Sequence, residues 1–206
     1  IVKVKEPMPE EFQYLSNQHT LFTYFHLAGN KEQAKELVKT GITAIAYETV
    51  TADDGSLPLL APMSAIAGQI GFVVGSYFLL KPNKGIGVLL GSIGDIEPRV
   101  VTVIGAGVAG TEAIKKAVAS GAYVKIIDLS EDKLQQLKQT FGEDKIEYIV
   151  STPETIAEAL VSSDLVIGSV YVIGKEAPKV ITKEMISKMK PGSVLVDIAI
   201  DQGGCI

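Results

Sequence analysis

Apolar and polar stretches alternate most regularly in the second half of the chain. Apolar runs rich in β-branched residues predict strands over 100–104, 123–128, 146–150, 164–170 and 193–200. Stretches of helical composition lie between them, over 108–120, 131–141, 153–161 and 183–189. Strands that alternate with helices of these lengths are typical of a parallel sheet covered on both faces. We therefore expect an α/β fold with a doubly wound, Rossmann-type parallel sheet.

The first half of the chain predicts part of a second, smaller α/β domain. Strands are expected over residues 2–5, 20–25 and 43–48. A polar-faced helix is expected over 30–39, with Asn30 as its N-cap and Gly41 as its stop. Strand, helix and strand at these lengths imply a parallel crossover.

An uncharged stretch from Ser56 to Leu80 is long enough to cross a lipid bilayer. Pro58 and Pro62 interrupt its first third, and small residues in the remainder permit close helix packing. We therefore interpret residues near 63–80 as a buried helix that links two domains. No membrane partner is expected.

Composition excludes several classes of protein. Of the 206 residues, 47% are hydrophobic and 21% are charged, so the chain can bury a substantial core. A formal net charge of −5 offers no basic surface for a nucleic acid. The single cysteine, Cys205, excludes an intramolecular disulfide and a cysteine-pair metal site, which is typical of the reducing cytoplasm. Because the chain starts at Ile1 rather than Met, we expect an internal portion of a longer protein.

A glycine-rich turn over 104–110 (IGAGVAG) carries the strongest chemical signal. In such a turn Gly105 permits the tight bend, Gly107 lets the main chain approach a pyrophosphate, and Gly110 lets the helix pack closely. Asp128 ends the next predicted strand, near the expected separation of roughly 20 residues. Its carboxylate is placed to accept both ribose hydroxyls, which favours NAD over the 2′-phosphorylated cofactor.

Several stretches resemble one known family, in order along nearly the whole chain. They are 4–7 (VKEP), 22–28 (FTYFHLA), 46–50 (AYETV), 57–64 (LPLLAPMS), 164–168 (DLVIG) and 189–205 (MKPGSVLVDIAIDQGGC). These stretches resemble the alanine dehydrogenase and nicotinamide nucleotide transhydrogenase family, and within it the alanine dehydrogenases. The resemblance implies an oxidoreductase that catalyses reversible oxidative deamination of L-alanine to pyruvate and ammonium, with hydride passing to NAD.

The resemblance also implies that the chain contains parts of two domains with different roles. Residues 1–60 would form part of the N-terminal substrate domain, and residues 61–206 the NAD-binding domain, including the linking helix. The family forms homohexamers, so a cytoplasmic homo-oligomer is expected, with small molecules as its other partners.

Two residues are expected to carry the chemistry. His26, at the end of a predicted strand, is suited to general acid and base catalysis near neutral pH. Asp201 ends the last predicted strand, at the sheet edge where open α/β sheets bind ligands, and would orient water or hold ammonium. Asp197 lies on the same predicted strand face and is interpreted as structural. Periodicity does not choose between Lys3 and Lys5; the resemblance selects Lys5 to hold the substrate carboxylate.

Further site residues follow from the resemblance alone. Tyr24 and Met63 would line the substrate pocket. The cofactor would contact Ser64 near the nicotinamide, Lys133 and Ser151 on the adenosine side, and also Val108, Ala109, Val170, Ile198 and Asp201.

Two other functions remain open. The chain resembles the nucleotide-binding part of a transhydrogenase in its second half, although the Asp-Gln-Gly-Gly-Cys ending departs from that pattern. The other alternative is a non-catalytic NAD-binding module that kept the fold, because a fold match does not establish an activity.

Overall fold

A computed structural model describes residues 1–206, and the chain divides into two compact units. The first unit consists of Ile1–Met63, Val172–Glu176 and Asp201–Gly203. The second consists of Ser64–Tyr171, Ala177–Ile200 and Gly204–Ile206. The predicted boundary after residue 60 stays a prediction.

The first unit is built around two parallel strands. Strand β1 (Thr20–Thr23) pairs in register with β2 (Thr43–Ala46), and helix α1 (Lys31–Thr40) connects them. The Asn30 side chain accepts a hydrogen bond from the Gln33 N–H, and Gly41 ends the helix at φ 69°. Both expected helix-end signals are thereby confirmed, because each satisfies local backbone groups.

The strand predicted at the start of the chain is only partly formed. Val2 makes an isolated parallel bridge to Phe22, and the Lys3 N–H donates to the Phe22 carbonyl (3.0 Å). Further along, the Tyr24 N–H donates to the Val4 carbonyl (3.4 Å) and the Thr23 hydroxyl donates to the Lys5 carbonyl (2.8 Å). The segment is therefore held to β1 by single hydrogen bonds and does not form a regular ladder.

The second unit contains a five-stranded sheet in which all strands are parallel. In chain order its elements are β3 (Val100–Ile104), α3 (Val108–Ala119), β4 (Tyr123–Asp128), α4 (Glu131–Phe141), β5 (Ile146–Val150), α5 (Pro153–Ser162), β6 (Leu165–Gly168), α6 (Lys183–Ile186) and β7 (Val194–Asp197). The strand order is β5-β4-β3-β6-β7, and separate hydrophobic clusters cover its two faces. The predicted doubly wound, Rossmann-type fold is confirmed.

Three predicted elements of this unit are too long. The strand expected over 164–170 is shorter, because β6 spans only Leu165–Gly168 and the Ser169 hydroxyl then turns to the carbonyl oxygens of Ile104 and Gly105. The last strand ends at Asp197, because its neighbour β6 ends at Gly168, the residue paired with Asp197, and no further ladder is available. The chain then coils into a 3-10 helix over Ile198–Gln202. Helix α6 ends at Ile186. The turns that follow have hydrogen bonds that span three residues, such as the one from the Met189 N–H to the Ile186 carbonyl (3.0 Å).

Helix α2 (Ala61–Phe78) begins two residues earlier than predicted and packs through glycine. Its buried residues include Gly68, where a Cβ would lie 2.0 Å from the carbonyl oxygen of Ala109. The expectation of a buried helix holds for this face only, and the other face is exposed. There the exposed apolar residues are Ile66, Ile70, Val73, Val74, Tyr77 and Phe78. None of the helices is both long enough and apolar enough to span a membrane.

Candidate active site

The glycine turn follows β3 at the carboxyl edge of the sheet. Gly105 has φ 90°, a conformation that favours glycine, and its N–H donates to the Ile127 carbonyl (2.8 Å). A Cβ on Gly110 would lie 1.8 Å from the Gly105 carbonyl oxygen, so only glycine lets helix α3 start this close to the turn. The backbone conformation at Gly105 and the packing at Gly110 therefore require glycine even without a ligand.

Gly107 differs from the other two glycines. Its φ is −67°, which any residue adopts, and a Cβ placed on it would meet nothing within 4 Å. It is exposed at the N-cap of α3, and no side chain there accepts the first-turn N–H groups. Free N–H groups at a helix N-terminus favour an anion. The open space and the donors fit the pyrophosphate of a dinucleotide.

Asp128 ends β4 beside this turn. One carboxylate oxygen accepts the Ala106 N–H (2.6 Å) and the other accepts the Ser130 N–H (2.9 Å). Each carboxylate oxygen has two lone pairs, so acceptor capacity remains for ribose hydroxyls. Its half-buried position leaves the carboxylate accessible.

Two residues predicted on the adenosine side lie close to Asp128 along the backbone. The Ser151 N–H donates to the Asp128 carbonyl (2.9 Å). Lys133 is in the first turn of α4, and its N–H donates to the Ser130 hydroxyl (3.2 Å). Both are half-buried at the same sheet edge.

Ser169 is a site residue that the sequence analysis missed. It is 7% exposed, and its hydroxyl lies within hydrogen-bond distance of the carbonyl oxygens of Ile104 (3.1 Å) and Gly105 (2.6 Å). It therefore ties the end of β6 to the glycine turn. A serine directly after a buried strand, at the edge where the turn lies, was the available signal.

Three other expected cofactor contacts lie in the same unit. Val170 follows β6 and is half-buried. The Ile198 side chain packs on α2, where a Cβ on Gly71 would lie 3.1 Å from its Cδ1. Ser64 is the fourth residue of α2.

The first unit places His26 in a constrained turn. His26 has φ 51° and ψ 37°, a left-handed conformation that is uncommon outside glycine. Its N–H donates to the Glu48 carboxylate (2.8 Å), which also accepts the Phe25 N–H (3.2 Å). Glu48 lies in a 3-10 turn after β2, and the sequence analysis did not single it out. Such constrained conformations cluster at functional sites.

Tyr24 lies beside His26. The two rings are stacked with centroids 5.8 Å apart and an interplanar angle of 12°. The Tyr24 hydroxyl donates to the Leu59 carbonyl. Burial raises the pKa of this hydroxyl, and the negative charge of Glu48 adds to the effect. The Tyr24 ring therefore lies beside the imidazole in its neutral form. Met63, the other residue expected in the substrate pocket, is half-buried at the start of α2.

The structure distinguishes the two candidate lysines. The Lys3 ammonium forms an ion pair with Glu11, a residue of the 3-10 helix Pro9–Tyr14. Lys5 is exposed and forms no ion pair. Its ammonium is the one available to an external carboxylate.

The position predicted for Asp201 requires a correction. Asp201 does not end a strand; it lies in the 3-10 helix Ile198–Gln202 and is exposed. Its backbone nevertheless lies against the turn that follows His26, because a Cβ on Gly29 would be 2.8 Å from the Asp201 carbonyl oxygen. The first unit thus contains both expected catalytic residues on adjacent backbone segments.

The fold and the glycine turn place the chain among Rossmann-type α/β proteins. Two domain models match it in succession: "Alanine dehydrogenase/PNT, N-terminal domain" over residues 1–67 and "Alanine dehydrogenase/PNT, C-terminal domain" over residues 71–206. The chain belongs to the alanine dehydrogenase/PNT family. The resemblance carried by the sequence motifs is confirmed.

Curated and solved relatives agree with this assignment. The chain is 49% identical to the alanine dehydrogenase of Bacillus subtilis, over all of this chain and 54% of that protein. A solved L-alanine dehydrogenase superposes with a TM-score of 0.86 at 45% identity, covering 99% of this chain and 56% of that one. The transhydrogenase from Sinorhizobium meliloti gives 0.78 at 27% identity, covering 100% and 60%. The chain spans about half the length of the curated relatives it matches.

Proposed function

We propose that the intact protein is an NAD-dependent amino-acid dehydrogenase that converts L-alanine and water reversibly to pyruvate and ammonium. The observation that carries this proposal is the packing of the turn after His26 against the backbone of Asp201. A group suited to proton transfer and a carboxylate thereby lie on neighbouring segments of one unit. The similarity to alanine dehydrogenases supports the choice of substrate.

NAD fits the residues present in the second unit. The free N–H groups at Gly107 and Val108 would hold the pyrophosphate, and Asp128 would hold a ribose. The open space at Gly107 supports this assignment, since no neighbouring protein atom requires glycine there. When bound, NAD accepts the hydride from the alanine Cα.

The residues of the first unit supply binding and proton transfer. The exposed Lys5 ammonium would pair with the substrate carboxylate. His26 would take the proton from the water that attacks the imine carbon. Asp201 would orient that water or hold the departing ammonium, while the neutral Tyr24 ring keeps the imidazole in place.

Transhydrogenation is a second candidate, favoured by the similarity to the S. meliloti transhydrogenase over the whole chain. It would exchange hydride between two nicotinamide nucleotides without an amino acid. A non-catalytic module would bind NAD and catalyse neither reaction.

The deciding experiment measures NADH absorbance with full-length protein, NAD and L-alanine. We expect NADH to form only when both compounds are present, and to disappear when pyruvate and ammonium are added. Hydride exchange between nucleotides without alanine would favour the transhydrogenase. NAD binding by calorimetry without either reaction would favour the binding module.

The cytoplasmic location and the homohexamer also remain proposals. Light scattering of the full-length protein tests the assembly, with six subunits as the expected result. A monomer would contradict it without affecting the assignment of the reaction.

A further inference from the structure

The carboxylate of Asp197 binds both ends of the segment that contains Asp201. Its Oδ1 accepts the Ala199 N–H (2.9 Å), just after β7. Its Oδ2 accepts the N–H groups of Cys205 (2.8 Å) and Ile206 (3.1 Å). One side chain therefore closes residues 199–205 into a loop.

Additional contacts tighten the same closure. The Gly204 N–H donates to the Ala199 carbonyl (3.0 Å), directly across the neck of the loop. Gly204 has φ 79°, and a Cβ on it would lie 2.6 Å from the Asp197 Oδ2. The Cys205 thiol lies 3.4 Å from Oδ1 and donates its proton to it. Glycine at position 204 is required both by its backbone conformation and by this close approach.

We propose that Asp197 is a positioning residue for the reaction, and that it sets the location of the Asp201 carboxylate by closing this loop. The inference rests on the proposed function, because it assumes that Asp201 acts on the substrate. Asp197 itself points at backbone N–H groups and the Cys205 thiol, which use its acceptor capacity. It acts through the loop and does not touch the substrate.

The charge of Asp197 is essential to this role. Hydrogen bonds from neutral N–H groups to a carboxylate are roughly twice as strong as those between neutral groups. An amide in the same place has one acceptor oxygen, and its NH₂ would face a backbone N–H. Asp197→Asn therefore keeps the side-chain volume and releases one end of the loop.

The test uses full-length protein and compares Asp197→Asn with Asp95→Asn. Asp95 is an exposed carboxylate outside the site. Asp95→Asn therefore makes the same chemical change and leaves the hydrogen bonds of the 199–205 loop intact. We expect Asp197→Asn to lower kcat by about 10²-fold, the size of effect that small misplacements of reacting groups produce. The Kd for NAD should stay within about threefold of wild type, because the glycine turn is untouched.

The kcat and NAD-affinity readouts separate positioning from general damage. A kcat loss with retained NAD affinity, measured well below the thermal midpoint of Asp197→Asn, supports positioning. Retained kcat in Asp197→Asn, or a parallel loss of kcat and NAD affinity, overturns it. The two failures are distinguishable. If the wild-type protein forms no NADH with alanine, the proposed function is wrong; if the wild type is active and Asp197→Asn keeps its kcat, only the role of Asp197 is wrong.

A measurement on the wild-type protein keeps the inference falsifiable if Asp197→Asn does not fold. Amide hydrogen exchange should be slow at Cys205 and Ile206, although neither residue lies in a helix or strand. Exchange at the rate of an open loop would show that Asp197 does not hold them, and would overturn the proposal.

Discussion

The Ala106 N–H donates a hydrogen bond of 2.6 Å to the carboxylate of Asp128. This bond joins the glycine turn after β3 to the end of β4, so the expected pyrophosphate and ribose sites are fixed relative to each other. The second Asp128 oxygen accepts the Ser130 N–H, which orients the whole carboxylate. Asp128, the residue expected to bind the ribose, therefore also stabilises the glycine turn.

Replacing Asp128 should weaken NAD binding. Asp128→Asn removes the charge and one acceptor, and hydrogen bonds to charged groups contribute about 1.5–3 kcal/mol. We expect the Kd for NAD, measured by calorimetry on full-length protein, to rise by about tenfold or more. The control is Asp132→Asn, an exposed carboxylate in the first turn of α4. An unchanged Kd in Asp128→Asn would refute the ribose assignment.

Two glycine substitutions should separate ligand binding from folding. Gly110→Ala should lower stability by about 1–3 kcal/mol through overpacking, because its Cβ would overlap the Gly105 carbonyl oxygen. Gly107→Ala has open space and should change stability by less than about 1 kcal/mol. Its Kd for NAD should nevertheless rise, since the methyl group occupies the expected pyrophosphate position. Urea denaturation and calorimetry measure the two effects. Normal NAD affinity in Gly107→Ala would contradict the site.

His26 should be needed for turnover more than for stability. Asparagine tolerates the left-handed conformation found at position 26, so His26→Asn removes the imidazole with little backbone strain. We expect kcat to fall by about 10²–10⁴-fold, the usual contribution of a general acid or base. His19→Asn is the control, because the His19 imidazole makes its hydrogen bonds to Ser16, in a local turn. Normal turnover in His26→Asn would remove His26 from the mechanism.

The thiol of Cys205 should make the protein less stable in alkali. Burial, together with the adjacent Asp197 carboxylate, raises the pKa of this thiol from 9.0 to about 12. Above pH 9 the unfolded chain loses the thiol proton while the folded protein keeps it. The stability contributed by the neutral thiol is therefore complete below pH 9 and is lost as the pH rises towards about 12.

Cys205→Ser tests this pH dependence. The free energy of unfolding of wild type minus that of the variant should be constant below pH 9. Above that pH the difference should fall by up to about 1.4 kcal/mol per pH unit. Urea denaturation with reductant present measures it, and a difference that does not vary with pH would show that the thiol ionises equally in both states.

Local signals predicted much of the second unit correctly. The bounds predicted for β3, β4, β5 and α4 are those observed, because each element is surrounded by clear turn or capping residues. The glycine turn was predictable for the same reason, since its shape depends on adjacent residues. The roles predicted for Asp128, His26 and Asp201 remain predictions.

Other features depended on contacts between distant residues. The sequence of 193–200 is apolar enough for a longer strand, yet β7 ends at Asp197 where its partner β6 ends. The same applies to Val2, whose single bridge depends on Phe22, and to Ser169, whose hydroxyl reaches the glycine turn. No local pattern encodes these pairings.

By itself the sequence determined the alternation of strands and helices, the glycine turn and the family, because these depend on residue types at short spacing. The tertiary structure alone decided that Glu48 binds the backbone of His26, that the Asp201 backbone packs against the turn after His26, and that Ser169 reaches the glycine turn. These relationships join residues far apart in the chain, and only packing brings such residues to hydrogen-bond distance.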